Sequence, residues 1–252
     1  MSVGVSLEQM EDRAGAAEAY RRASELLGTA YEASGITDEL SGKADSLTLL
    51  ASVLHRSLEK SAEALEAYEA AARIYRELGD TRRLRKPLTR LAGLRWRMGD
   101  PEGSARGYEE ARELAWEHGE AAHEAAALAS LSVVYRDLDR LKESLRCGRE
   151  ALELLRGVED LQAEAYVLSS VAESHLGLGH HPSAISCLRR SLRLRRKIGD
   201  KKGEVGVLHD LAKVHEDLGD ADLARKARDG AAPKERTSGE AWKAVPFVER
   251  RN

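Results

Sequence analysis

The chain has 252 residues and a formal net charge of −3, which argues against a dedicated nucleic-acid-binding domain, since such domains are usually strongly basic. Charged residues make up 33% and aromatic residues 4%, and the abundance of Ala, Leu, Glu and Arg is typical of a helical protein. We find no apolar run long enough for a membrane span, no secretory signal and only two cysteines, so we expect a cytoplasmic protein that does not bind membranes.

The first predicted element is a helix at 7–35, which contains the amphipathic segment EDRAGAAEAYRRASELL. We interpret residues 1–40 as this N-terminal helix, the remnant of a degenerate first repeat.

Glycines then recur every 20 residues, each at the predicted end of a helix. They are Gly79, Gly99, Gly119, Gly179, Gly199 and Gly219. Glycine is favoured where a helix ends in a left-handed residue. Two positions of this series lack it: Asp139 can adopt the same conformation, and near Glu159 the closest glycine, Gly157, comes two residues early.

Two such segments of helix and turn make one 40-residue unit of two antiparallel helices. The predicted solenoid, 41–229, consists of units 41–80, 81–120, 121–160, 161–200 and 201–229.

Six of the nine residues from Arg189 to Lys197 are basic, which raises the question of nucleic-acid binding. Forty residues earlier the apolar positions match, but Glu150 stands where Arg190 does. A face whose charge changes sign between repeats is most simply a solvated face. Arg195 is the one basic residue that falls on the apolar side of this helix.

Residues 230–252 lack a helical period, and we predict a disordered tail there. Within it, EAWKAVPFVERR resembles a short linear motif around Trp242 and Phe247. Three alternatives stay open: docking to a partner, folding back onto the chain's own groove, or no role.

The units resemble the tetratricopeptide repeat (TPR), in a 40-residue variant. In the unit 121–160, Leu128, Leu131 and Tyr135 match the large apolar and tyrosine positions of the first helix, and Ala151 matches the small position of the second. The resemblance implies an all-α fold, a right-handed α-solenoid of stacked helix-turn-helix repeats. It also implies that the first helices line a concave groove that binds peptides.

Some positions depart from the TPR pattern. The unit 41–80 has Thr48 at its first apolar position. The tyrosine position is occupied in turn by His55, Arg95, Tyr135, His175 and His215. We interpret the histidines as replacements for tyrosine that pack between helices, because successive repeats separate them too widely to share a metal. Arg95 is poorly suited to burial and predicts a loosely packed or rotated second unit.

The resemblance also places particular residues in the groove. The expected groove residues are Lys86, Arg90, Trp96, Arg97, Arg136, Tyr166, Ser169, Glu173, His209, Asp210, Lys213 and Glu216. Seven basic residues between Arg82 and Arg97 predict a basic wall, and beyond it the groove becomes mixed or acidic. This pattern suits an acidic peptide with an apolar anchor, although Trp96 packed in the core is an equally good alternative.

We find no phosphate-binding loop and no sequence context for a nucleophile, so we predict no catalytic residue, cofactor or metal site. A non-enzymatic interaction scaffold or adaptor that binds a peptide or a partner helix is the first hypothesis. A peptide-sensing module of a signalling or transcription system is the alternative. Nucleic-acid binding through 82–97 and 189–202 is the third and is not favoured by the net charge.

Overall fold

A computed structural model of the protein describes residues 13–35, 37–56 and 60–231. Within these ranges the chain forms eleven α-helices and no strand. The helices are α1 Arg13–Ser34, α2 Thr37–His55, α3 Ser61–Glu77, α4 Thr81–Arg97, α5 Pro101–Glu117, α6 Ala121–Asp137, α7 Leu141–Val158, α8 Leu161–Gly177, α9 His181–Ile198, α10 Lys201–Asp217 and α11 Ala221–Ala231. None of these helices combines the length and apolar character that a membrane crossing requires.

The helices stack in chain order as an α-solenoid. The even-numbered helices from α4 to α10 begin 40 residues apart, and so do the odd-numbered helices from α3 to α11. Each helix packs on the next, and α2 also approaches α4 as α6 approaches α8. We call α2, α4, α6, α8 and α10 the first helices and the others the second helices. The predicted all-α solenoid fold is confirmed.

A glycine–aspartate pair makes four of the sharp turns, at Gly79, Gly99, Gly199 and Gly219. Gly79 has a φ of 68°, and the N–H of Asp80 donates to the carbonyl of Tyr75 at 2.9 Å, so the last turn of α3 is satisfied. The Asp80 carboxylate then accepts from the N–H of Arg83 at 2.9 Å and caps α4. Equivalent caps begin α5, α8 and α10 at Asp100, Asp160 and Asp200.

Two turns are made without glycine. Asp139 has a φ of 58°, as the sequence predicts, and Glu159 has a φ of 55°. Gly157 therefore does not replace the missing glycine: it is part of α7, and Glu159 itself adopts the left-handed conformation.

Small residues allow neighbouring helices to approach closely. Ala92, Ala111, Ala151 and Ala172 are buried at successive pairs. A methyl group on Gly148 would collide with Cγ2 of Val171, so the absence of a side chain at Gly148 lets α8 pack against α7 there. The buried apolar residues form successive clusters along the stack, the largest running from α4 to α9.

The expectation that Arg95 loosens the second unit is wrong. Its guanidinium donates to Glu69 at 2.6 Å, and Leu94 and Leu91 beside it are buried. Forty residues later Tyr135 donates to Glu109, the counterpart of Glu69. An arginine can thus replace a tyrosine here, because both repeats have a glutamate at the position that accepts the hydrogen bond.

The other departures are also accommodated. Thr48 is buried and donates to the carbonyl of Ala44 at 2.8 Å, which satisfies its hydroxyl. His175 and His215 are buried, and His55 meets Tyr68 edge to face. These histidines pack between helices, as the sequence predicts.

At the C-terminal end, α11 includes Gly230 and Ala231, which the sequence analysis assigned to the tail. Ala231 is buried in the cluster around Leu208, and this contact favours two more helical residues. The tail residues Trp242 and Phe247 lie outside the described residues.

The basic segment of 189–197 lies on α9. Arg189, Arg193, Arg196 and Lys197 are exposed. Arg190 is half-buried and pairs with Glu164 of the preceding first helix. The segment is therefore a solvated helix face with ion pairs to its neighbours.

Candidate functional site

A cleft of about 310 Å³ opens along the first helices α4, α6, α8 and α10, and we call it the Tyr166 cleft. Its lining residues are Trp96, Val133, Arg136, Tyr166, Ser169, Ser170, Glu173, Arg195, Gly203, Gly206, Val207 and Asp210. The sequence analysis placed six of these in the groove: Trp96, Arg136, Tyr166, Ser169, Glu173 and Asp210. Four repeats therefore contribute to one concavity, because their helices present the same face in the same register.

Arg136 is the centre of a polar network in this cleft. Its Nε and Nη2 donate to Oδ1 of Asp137 at 3.3 and 3.0 Å, and its Nη1 donates to Glu173. Oδ2 of Asp137 accepts from Nε1 of Trp96 at 2.8 Å. The network joins α4, α6 and α8, so it fixes the relative positions of the side chains along the cleft.

The aromatic residues of the cleft are accessible. Trp96 is 40% exposed and Tyr166 is 51% exposed. Trp96 is therefore not a core residue, and the alternative that places it in the core is wrong. Two partly exposed rings beside polar groups are typical of binding surfaces.

Two carboxyl groups of the cleft are destabilised in their charged form. Burial raises the pKa of Glu173 above its ordinary value, and nearby Asp210 raises it further although Arg136 opposes both. Burial also raises the pKa of Asp210, despite His209, Lys213 and Arg195. Asp210 forms no hydrogen bond or ion pair with any residue in the described ranges.

Several residues of the cleft were not identified from the sequence. Arg195, on the second helix α9, reaches into the cleft, pairing with Asp200 at 2.5 Å. Its guanidinium passes over Gly203, where a Cβ would collide with it. Gly206 lies one turn further along α10, and a Cβ there would meet nothing within 4 Å. Two glycines three residues apart inside a helix were the sequence signal for this opening.

The predicted basic wall at α4 is mostly neutralised. Arg85 and Arg82 pair with Glu120 at 2.8 and 3.5 Å. Arg83 pairs with Asp80 and Asp45, as Arg95 does with Glu69.

The other three basic residues of α4 are Lys86, Arg90 and Arg97, which the sequence analysis assigned to the groove. Lys86 and Arg90 are exposed, and Lys86 lines a separate cleft of about 350 Å³ between α2 and α4. Arg97 donates to Nε2 of His55 at 3.0 Å. Burial, with Arg97 and Arg90, lowers the pKa of His55, so the neutral ring accepts this hydrogen bond.

At the other end, His209, Lys213 and Glu216 line a shallow cleft on α10 together with Arg228 of α11. Asp210 lines both this cleft and the Tyr166 cleft, so it separates them. The predicted groove residues are thus divided among three clefts, except Arg90 and Arg97, which line none of the three.

The cysteines and histidines form no other site in the described part of the chain. No group of three potential metal ligands occurs there. Both cysteines are free, and burial raises the pKa of Cys147 to about 11, so its thiol is protonated at neutral pH.

Comparison with known families gives two matches. The tetratricopeptide repeat model matches residues 123–197, and a model described as anaphase-promoting complex subunit 5 matches residues 13–98. A search of the curated proteins finds no significant match.

Solved structures match most of the chain. BtubC (BKLC) from P. vanneervenii has a TM-score of 0.71 and 19% identity, over 91% of this chain and 97% of that one. The apo form of RapI has a TM-score of 0.69 and 14% identity, over 90% and 93%.

A third match is the STAND protein with a tetratricopeptide repeat sensor from Pyrococcus horikoshii, with a TM-score of 0.74 and 16% identity. The match spans 90% of this chain but 35% of that one. At these identities the structures show a shared fold. The tetratricopeptide repeat model identifies this repeat in residues 123–197.

Proposed function

We propose that the protein is a non-enzymatic scaffold or adaptor that binds a peptide or a partner helix along its first helices. One observation carries this proposal. Side chains from four successive first helices line the Tyr166 cleft, and its two aromatic rings are partly exposed. An extended segment or helix crossing the repeats would contact all of them at once.

The charges along the first helices would determine the direction in which a bound peptide lies. Lys86, Arg90 and Arg97 supply exposed positive charge at α4. Glu173 and Asp210 supply carboxyl groups at α8 and α10. An acidic stretch of the partner is therefore expected over α4, with its apolar anchor near Trp96.

A peptide-sensing regulatory module is the second candidate. It is supported by the structural likeness to RapI and to the repeat sensor of the STAND protein. In this case binding would change the pitch of the solenoid, which small-angle scattering would detect as a change in the radius of gyration. An unchanged scattering curve at saturating peptide would favour the scaffold.

The test is a selection of displayed random peptides on the immobilised full-length chain, followed by affinity measurement for the selected peptides. We expect the double substitution Arg90→Glu and Arg97→Glu to weaken binding about tenfold or more, because it reverses charge beside the anchor. The matched control is Arg106→Glu with Arg146→Glu, two exposed arginines on the second helices α5 and α7.

Circular dichroism would establish that both variants keep the helicity of the wild type. Equal loss of affinity in both would show a general charge effect and would contradict the proposed groove. A selection that yields no binding peptide would contradict peptide binding altogether.

A further inference from the structure

We propose that the Tyr166 cleft receives one basic side chain, a lysine or an arginine, of the bound peptide. The inference rests on the proposed function and specifies which chemical group of the partner enters which part of the groove. The basic side chain is a different part of the peptide from the acidic stretch expected over α4. Together the two would fix the orientation of the peptide along the repeats.

The shape of the cleft fits a single long side chain. Gly206 lines it and leaves open space where other helix positions carry a Cβ. On α8, Tyr166 occupies the position forty residues before Gly206. Equivalent positions of two successive repeats therefore carry a large ring in one and no side chain in the other. The volume of about 310 Å³ lies at the low end of ligand pockets, as expected for one side chain.

The charges of the cleft favour a cation. Both of its arginines already have carboxylate partners: Arg136 bonds to Asp137 and Glu173, and Arg195 to Asp200. Asp210 has no such partner among the described residues and lies where burial makes its charge costly. His209, Lys213 and Arg195 act on it without forming an ion pair, so an ammonium or guanidinium group in contact with it would supply the direct ion pair that it lacks.

An acidic side chain would fit less well. All three guanidinium nitrogens of Arg136 donate to carboxylates, so a carboxylate from the partner would have to displace Asp137 or Glu173. It would also enter beside Asp210 and be repelled. Like charges placed together in a partly buried site cost binding free energy.

The aromatic rings add to the attraction. Tyr166 is half exposed, and its hydroxyl forms no hydrogen bond with a described residue. Trp96 lines the same cleft and is held in place through Asp137. A cation over the face of either ring gains electrostatic energy, most with tryptophan.

The experiment begins with the tightest peptide from the display selection. Each lysine or arginine in it is replaced in turn by glutamine, and affinities for the full-length chain are measured by fluorescence anisotropy. The same peptides are measured with Asp210→Asn, whose control is Asp217→Asn, an exposed aspartate on the same helix. Circular dichroism verifies the fold of each variant.

We expect one peptide position at which glutamine weakens binding about tenfold to the wild type and to Asp217→Asn, but hardly at all to Asp210→Asn. A selected peptide without any basic residue, or equal losses with and without Asp210, would overturn the inference. In either case measured peptide binding would leave the proposed function standing, whereas a selection without binders would end both.

A second pair of variants tests the shape. Gly206→Leu fills the cleft, whereas Gly157→Leu adds the same side chain to α7, where a Cβ also meets nothing within 4 Å. We expect Gly206→Leu to abolish the preference for a basic residue and Gly157→Leu to keep it. If Gly206→Leu binds the peptide and its glutamine variants as the wild type does, the side chain enters elsewhere.

Discussion

Two buried serines at equivalent positions differ in their hydrogen bonds. The Oγ of Ser144 lies 2.7 Å from that of Ser174 and 3.2 Å from that of Ser132, in a network between α6, α7 and α8. Forty residues earlier Ser104 is equally buried but has no hydrogen-bond partner, since Ala92 stands in the place of Ser132. A buried hydroxyl without a partner costs free energy that a bonded one does not.

We therefore predict that Ser104→Ala raises the free energy of unfolding by about 1 kcal/mol, and that Ser144→Ala lowers it by about the same amount. Urea denaturation of both variants measures the difference directly. Because each change removes the same oxygen from a second helix, one variant serves as the control for the other. A loss of stability in both would mean that packing, not hydrogen bonding, decides the outcome.

The left-handed turn residues show what the sequence predicts at this scale. The glycine series and Asp139 were assigned correctly, because a residue without a side chain, or with a short polar one, tolerates a positive φ. Glu159 was not, since its own side chain gives no such signal. The regular spacing of the helices imposes this conformation, which is a property of the stack and not of the residue.

Among the elements, α9 and α10 are joined by an ion-pair cluster. Oε1 of Glu204 accepts from Nε of Arg196 at 2.7 Å, and its Oε2 accepts from Nζ of Lys201 at 3.0 Å. These hydrogen bonds hold the pKa of Glu204 below its ordinary value of 4.5. The ionised carboxylate therefore stabilises the folded chain above pH 4.5, and this contribution is lost as the pH falls below it.

We predict that Glu204→Gln lowers the free energy of unfolding by about 1 kcal/mol at pH 7. The difference from the wild type should shrink as the pH falls from 4.5 through the lowered pKa of Glu204, since the folded wild-type carboxyl group is protonated over that range. Thermal unfolding at a series of pH values measures this. Glu66→Gln, at an exposed carboxylate on α3, is the control and should change little. A deficit that persists unchanged in acid would rule out the ionic explanation.

The elements were more predictable than the site. Helices and turns follow from a 40-residue period that every repeat expresses. The Tyr166 cleft follows from departures from that period: Gly206 where α8 has Tyr166, and Arg195 where an apolar residue is expected. The pairing of Arg85 with Glu120 also depends on distances between helices, so the sequence alone overstated the basic wall.

In the whole molecule, the stability of each repeat depends mainly on how it packs against the adjacent repeats. Each helix packs on the preceding and following ones, α2 also contacts α4 and α6 contacts α8, and the described chain has no single central core. In such a chain a local defect weakens adjacent repeats more than distant ones. Gly148 is a suitable place for such a defect, because Val171 of α8 leaves no room for a methyl group there.

We predict that Gly148→Ala lowers the free energy of unfolding by about 1–3 kcal/mol, since its methyl group would overlap the side chain of Val171. Amide hydrogen exchange read by mass spectrometry should then show faster exchange in α6 to α9, while α2 and α3 keep the rates of the wild type. Gly157→Ala, nine residues along the same helix but facing open space, is the control and should slow exchange or leave it unchanged. Uniformly faster exchange in all helices would instead mean that the solenoid unfolds as one cooperative unit.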